Sequence, residues 1–197
     1  MSAAQIDGFS KAFTVNHRNH PMQIYARGTG DKCVIVMHEL PGMTNSFIDF
    51  CRRLADAGFK VYMPLLFKEP GTEMGKAATA LFCLSGEFRR LFSVESSNAD
   101  RPITKLLAEM LEKVGMQNPN AKMAAIGMCL TGGFALGAII NDKVKAAVLC
   151  QPSYPFATKI HMLGFSGPQI KCIKERAEAE QGTLAKGYRY AGDFISR

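Results

Sequence analysis

KMAAIGMCLTGGFALGAII, residues 122–140, reads as a strand, a tight turn and a helix in immediate succession. KMAAIG (122–127) has the length and apolar content of one strand, and the apolar residues over 132–140 continue at helical length. Between them Gly127, Gly132 and Gly133 surround Cys129. Small residues are what a strand needs to turn sharply into a helix, because a side chain at those places collides with the sheet or the helix.

Working outward, the same alternation repeats on both sides. CVIVM (33–37) is a continuous β-rich run of the kind buried on both faces of a parallel sheet. HELPGM leads from it into a helix over 45–57, with Phe47, Ile48, Cys51, Leu54 and Ala55 at helical spacing and Gly58 placed as its cap. KVYM (60–63) is the next strand, and residues 13–16 and 22–26 form an antiparallel hairpin at the edge. Residues 65–99 are irregular and long for a simple connection; such segments are usually functional or partly helical. Asp100 and Pro102 open a helix striped by Ile103, Leu106, Leu107, Met110, Leu111 and Val114 and ended by Gly115. A strand over 145–150, a helix over 168–181 and a strand over 184–190 follow. The pattern predicts an α/β fold, a single domain over 1–197 with a mostly parallel central sheet and helices on both faces. Sites in such sheets gather at the carboxyl ends of strands, which here carry His38-Glu39, Met128-Cys129-Leu130, Gln151-Pro152-Ser153 and Gly192-Asp193.

Composition narrows the class. A chain of 197 residues, 47% hydrophobic, can bury one core and has no signature of disorder. Its 24 Lys and Arg against 17 Asp and Glu give a net charge of +7, but the cations are scattered without a dense run, so no nucleic-acid partner is expected. No run of about 18 apolar residues suggests a membrane span. The N-terminal MSAAQIDGFSK lacks the apolar core of a signal peptide. Six cysteines (33, 51, 83, 129, 150 and 172) form no CxxC pair and no Cys/His metal spacing. Reduced thiols in a cytoplasmic protein are the expectation, with no metal and no cofactor.

The turn at 127–133 is a G-x-S-x-G nucleophile elbow with Cys for Ser and one glycine shifted. The following helix directs its amides and positive dipole end at Cys129, an arrangement that favours a thiolate. From the residues alone, the alternative is a structural Cys in a Gly-rich turn.

Three stretches, VIVMHELPGM (34–43), IGMCLTGGFAL (126–136) and GYRYAGD (187–193), resemble the dienelactone hydrolase family, and the likeness spans almost the whole chain from Val34 onward. The resemblance implies an α/β-hydrolase fold and hydrolysis of a small lactone, ester or similar activated acyl compound through a Cys-His-Asp triad. It makes Cys129 the nucleophile, Asp193 the triad acid and Glu39 the carboxylate that takes the thiol proton. The backbone amides of Leu40 and Leu130 form the oxyanion hole. Arg89 and Arg90, in LFCLSGEFRRLF (81–92), are candidates to bind a substrate carboxylate, or else a solvated pair on a helix face. Phe82, Phe88, Leu91 and Phe92 either line an apolar pocket or bury the excursion. His38 points to the opposite side from Glu39 and belongs to the core or rim; His161 is a structural or surface residue.

The family's triad histidine follows its Asp, whereas no histidine follows His161 here and Arg197 is four residues beyond Asp193. The expectation is a fragment whose remainder carries the base together with a final strand and helix. The alternative is a non-catalytic α/β-hydrolase-like binding or regulatory protein. A thiol redox role would need a disulfide partner for Cys129, Cys150 or another, which the local sequence does not supply.

Overall fold

A computed structural model describes residues 6, 8–72, 74–86, 88, 102–152, 165–179 and 184–192. The apolar runs and the hairpin become one seven-stranded sheet in the order β1-β2-β4-β3-β5-β6-β7. β1 (Ser10–His17) and β2 (His20–Arg27) are joined by Arg18 and Asn19, both at positive φ, the two-residue turn whose twist suits a hairpin. β2 runs antiparallel to its other neighbour; β3 (Lys32–Met37), β4 (Lys60–Pro64), β5 (Lys122–Met128), β6 (Val144–Cys150) and β7 (Leu184–Tyr188) are mutually parallel. β3 lies between β4 and β5 and is buried from Cys33 to Met37, as its unbroken apolar run requires.

Helices cover both faces. On one, α1 (Asn45–Asp56) buries Phe47, Ile48 and Cys51 against Val34, Val36, Val61 and Met63. Thr44 starts it, its hydroxyl accepting the Phe47 N–H at 3.3 Å. Gly58, at φ +90°, ends it: its N–H donates to the Ala55 carbonyl and the Phe59 N–H to the Leu54 carbonyl. That pair of bonds is the Schellman ending, which asks for a left-handed residue there and so for glycine. On the other face lie α2 (Lys76–Cys83), α3 (Pro102–Gln117) and α4 (Gly132–Ala138), whose apolar sides meet Ile35, Met37 and Ala125. α5 (Gly167–Glu178) precedes β7 and buries Ile173; its start is capped by Ser166 and Gln169.

The end of α3 differs from the sequence expectation for an identifiable reason. Gly115 does not end α3, which runs on to Gln117. Lys143 packs there, its Nζ donating to the Gly115 carbonyl at 2.6 Å, and a Cβ on residue 115 would lie 2.9 Å from the Lys143 side chain. Asn118 closes the helix instead, bonding the Val114 carbonyl through both its backbone and its side chain. The segment 65–99 contains α2, and Asp100 lies outside the described residues.

Candidate active site

The elbow is built from the end of β5. Cys129 opens a 3₁₀ turn, Cys129–Thr131, that runs directly into α4. Its φ of +52° is in the left-handed region, which costs a residue with a Cβ roughly 1–2 kcal/mol. The turn is held in that shape by Thr131, which is wholly buried. The Thr131 hydroxyl accepts the Met128 N–H at 2.8 Å, and its single proton is shared by the carbonyls of Met37 (3.0 Å) and Met128 (2.9 Å). The end of β5 is thereby tied to the end of β3. Glycines provide the remaining room: a Cβ on Gly127 would sit 2.2 Å from the Thr131 carbonyl oxygen, and one on Gly132 2.8 Å from Cβ of Pro152.

The sheet register brings the second sequence-predicted group to the same place. Met37 pairs with Gly127 across β3 and β5, so two residues later Glu39 and Cys129 leave adjacent parallel strands at the same level. Glu39 is half-buried, and burial pushes its carboxyl above the usual range, which suits a group that must accept a proton. Its carbonyl accepts the Gly42 N–H at 2.8 Å, closing a turn through Leu40 and a cis Pro41. On the other side, Cys150 ends β6 opposite Met128; burial first and the charge of Glu39 second push its thiol up. Gln151 follows at φ +48°, its N–H bonded to the Tyr188 carbonyl at 2.7 Å.

His38 is buried completely and points away from this site, as strand alternation predicts. Its Nε2 accepts the Leu66 N–H at 3.1 Å and its Nδ1 donates to the Glu39 carbonyl at 3.1 Å, while Phe47 and Phe67 meet the ring edge-on. With both nitrogens occupied and its pKa lowered by burial to about 4, it is a neutral structural imidazole and not a proton-transfer base. The folded value lies below the unfolded 6.5, so the unfolded chain binds the extra proton between the two; stability is whole above about pH 6.5 and falls as pH drops toward 4. A shift of this size corresponds to about 3 kcal/mol. The raised Glu39 carboxyl works in the opposite direction, contributing most at low pH. Urea midpoints should therefore fall between about pH 7 and pH 4.5, and the fall should be shallower in His38→Gln.

The described part of the excursion after β4 belongs to the cluster against which Leu40 and Cys129 pack. Phe67, Phe82 and Phe88 stack in sequence, with ring centroids 5.0 Å and 5.6 Å apart, and all three are buried. Phe82 and Phe88 therefore bury the excursion. Lys68, which the sequence did not single out, sits with its ammonium 4.5 Å from the Phe82 ring centroid. Thr131 was also missed, although a hydroxyl inside a buried turn is obliged to find partners. Asp193, Arg89, Arg90, Leu91, Phe92, Ser153 and His161 lie outside the described residues. A broad concavity lined by Phe9, Arg27, Lys60 and Tyr62 is at the amino end of β4, away from Cys129 and Glu39. Among the described residues, no group of three or more His, Cys, Asp or Glu is placed to hold a metal ion, and no helix is long and apolar enough to cross a membrane.

Comparison with known proteins bears on the fold and the family. A proposed dienelactone hydrolase from Klebsiella pneumoniae superposes with a TM-score of 0.58 at 16% identity, covering 93% of this chain and 85% of that one. An alpha-beta serine hydrolase homologue from Coxiella burnetii gives 0.52 at 11% identity, with 91% and 86% covered. An epoxide hydrolase from Vigna radiata gives 0.50 at 14% identity, covering 77% of this chain and 43% of that one. At such identities these likenesses speak for the fold, that of the α/β-hydrolases. Among curated proteins the comparison finds no match. The model of the dienelactone hydrolase family matches residues 22–173, a span that begins in β2, ends in α5 and includes Glu39 and Cys129. The chain belongs to the dienelactone hydrolase family, and is by that membership a hydrolase.

Proposed function

We propose that the protein hydrolyses small lactones, esters or similarly activated acyl compounds, with Cys129 as the nucleophile. The observation that carries this reading is the elbow itself: a cysteine at positive φ between β5 and α4, level with Glu39 on the neighbouring strand. In the acylation step the Cys129 thiol gives its proton to the Glu39 carboxylate as the sulfur attacks the substrate carbonyl carbon. The negative oxygen that forms is held by the backbone N–H groups of Leu40 and Leu130. Collapse expels the alkoxide, which takes the proton back from Glu39 and leaves a thioester on Cys129. Water then cleaves that thioester: its hydroxyl joins the acyl carbon and its proton returns to the Cys129 sulfur, a transfer that a histidine oriented by Asp193 carries in the family's triad. Binding at this end of the sheet needs no cofactor.

The test is hydrolysis of a panel of short-chain 4-nitrophenyl esters and small lactones. The protein should release product faster than buffer does, and Glu39→Gln should lower kcat by roughly 10²-fold or more with a smaller change in KM. An unchanged kcat in that variant removes Glu39 from the mechanism, and no turnover of any member of the panel removes the reading.

A further inference from the structure

The loop that leaves β3 is anchored from behind by a single ring. The Leu65 N–H donates to the Gln23 carbonyl at 2.8 Å, which ties the chain after β4 to β2. The next amide, Leu66 N–H, donates to His38 Nε2 at 3.1 Å. A neutral imidazole that accepts at Nε2 carries its proton on Nδ1. That nitrogen lies 3.1 Å from the Glu39 carbonyl oxygen, which also accepts the Gly42 N–H at 2.8 Å. Both lone pairs of the carbonyl are thus engaged. The ring itself is wedged, wholly buried, between Phe47 and Phe67, with centroids 5.8 Å and 4.7 Å away. The Glu39 carbonyl is one half of a peptide whose other half is the Leu40 N–H. That peptide is trans, so the two groups share a plane and point in opposite directions. Fixing the oxygen on the His38 side turns the N–H to the other side, the one that strand alternation gives to Glu39. Among the described residues no acceptor meets the Leu40 N–H.

We infer that His38 is a positioning residue for the oxyanion hole: it holds the Glu39–Leu40 peptide so that the Leu40 N–H faces the substrate carbonyl oxygen. The inference rests on the reading of that amide as an oxyanion donor. His38 touches no substrate and moves no proton. Its work is done before the reaction begins, because an amide already aimed where negative charge develops needs no reorganisation as the charge appears. Without the Nδ1 proton the carbonyl keeps only its bond from Gly42, inside the same short turn, and the peptide plane is free to rotate. The Leu66 bond serves a different end. It joins the loop after β4 to His38 and so supports the fold, without acting on the Glu39–Leu40 peptide.

The two ring nitrogens can be removed one at a time. Asparagine puts an N–H near the place of Nδ1 and nothing at Nε2; glutamine reaches the place of Nε2 with its carbonyl oxygen and leaves Nδ1 empty. Each variant keeps one of the two hydrogen bonds, so a purely structural role predicts similar effects in both. Two reactions of Cys129 are timed in each protein. Acylation by 4-nitrophenyl acetate, read as the nitrophenol burst, passes through an oxyanion; alkylation by iodoacetamide, read on the tryptic peptide 123–143, does not. His38→Gln should acylate about 10-fold or more slowly than the unmodified protein, with alkylation little changed. His38→Asn should acylate several-fold faster than His38→Gln. Equal acylation in the two variants overturns the inference, as does alkylation that falls in step with acylation. Nitrogen-15 NMR of the unmodified protein tests it without a variant: the His38 ring should be the Nδ1–H tautomer, and an Nε2–H tautomer, which puts no donor against the Glu39 carbonyl, overturns it. A protein that turns over no ester removes the hydrolytic reading and this inference together; turnover with equal variants removes the inference alone.

Discussion

Cys129→Ala should lower kcat/KM for an activated ester on the order of 10⁴-fold or more while the protein remains folded. Alanine is the informative replacement because it deletes the sulfur and puts no other nucleophile in its place. Cys129 is only half-buried and sits at the surface of its cluster, so removing one sulfur costs little packing. Its positive φ is equally available to alanine, and Thr131 still ties Met128 to Met37. The fold should therefore survive, with the loss falling on chemistry. Cys150→Ala supplies the control: that thiol is also at a strand end and near Glu39, but on the opposite sheet face, and its loss should leave hydrolysis within a few-fold of the original. Equal losses in both variants would point to a general disturbance of the strand ends.

Gly127→Ala should be the most damaging single methyl group at the site. The added Cβ would lie 2.2 Å from the carbonyl oxygen of Thr131 and 2.6 Å from its carbonyl carbon. Both are backbone atoms of the elbow, and Thr131 is fixed by its bonds to Met128 and Met37, so neither partner yields cheaply. Overpacking of a well-filled interior typically costs about 1–3 kcal/mol, and a clash with backbone belongs at the top of that range or beyond. A loss of about 3 kcal/mol corresponds to a fall in Tm of roughly 6–12 °C for a chain of this size. Activity should drop with it, because the strain is relieved by moving the turn that carries Cys129. Gly187→Ala is the comparison: nothing lies within 4 Å of a Cβ there, and its Tm should stay close to that of the unchanged protein.

Much of this arrangement was legible in the chain because the physics that shapes it is local. The run CVIVM has no polar interruption and can only be buried on both faces, which is where β3 sits. Gly58 marks the end of α1 because no other residue takes that backbone angle as easily. The glycines around Cys129 announce a turn too tight for side chains. What the sequence did not disclose depends on contacts between distant segments. The insertion of β4 between β2 and β3 is a matter of pairing, which neither strand's composition encodes. Gly115 looks like a helix end until Lys143 is seen filling the space it leaves. α2 is preceded by Gly75, which has no side chain to cap it, so it carries no start signal. The role of Thr131 arises from a partner 94 positions away, the Met37 carbonyl. For Asp193 and the arginines at 89 and 90, the sequence reading stands as a proposal.

The central claim is that the Cys129 sulfur forms a covalent bond to the acyl group, and trapping that bond tests it most directly. The protein is mixed with 4-nitrophenyl acetate, quenched in acid within the first turnovers and mapped by peptide mass spectrometry. One acetyl group should appear on the peptide 123–143, at Cys129, in step with a burst of nitrophenol equal to the enzyme present, and neither should occur in Cys129→Ala. Hydrolysis that proceeds with Cys129 unmodified, or with the acetyl group on Cys83, Cys150 or a lysine, contradicts the account.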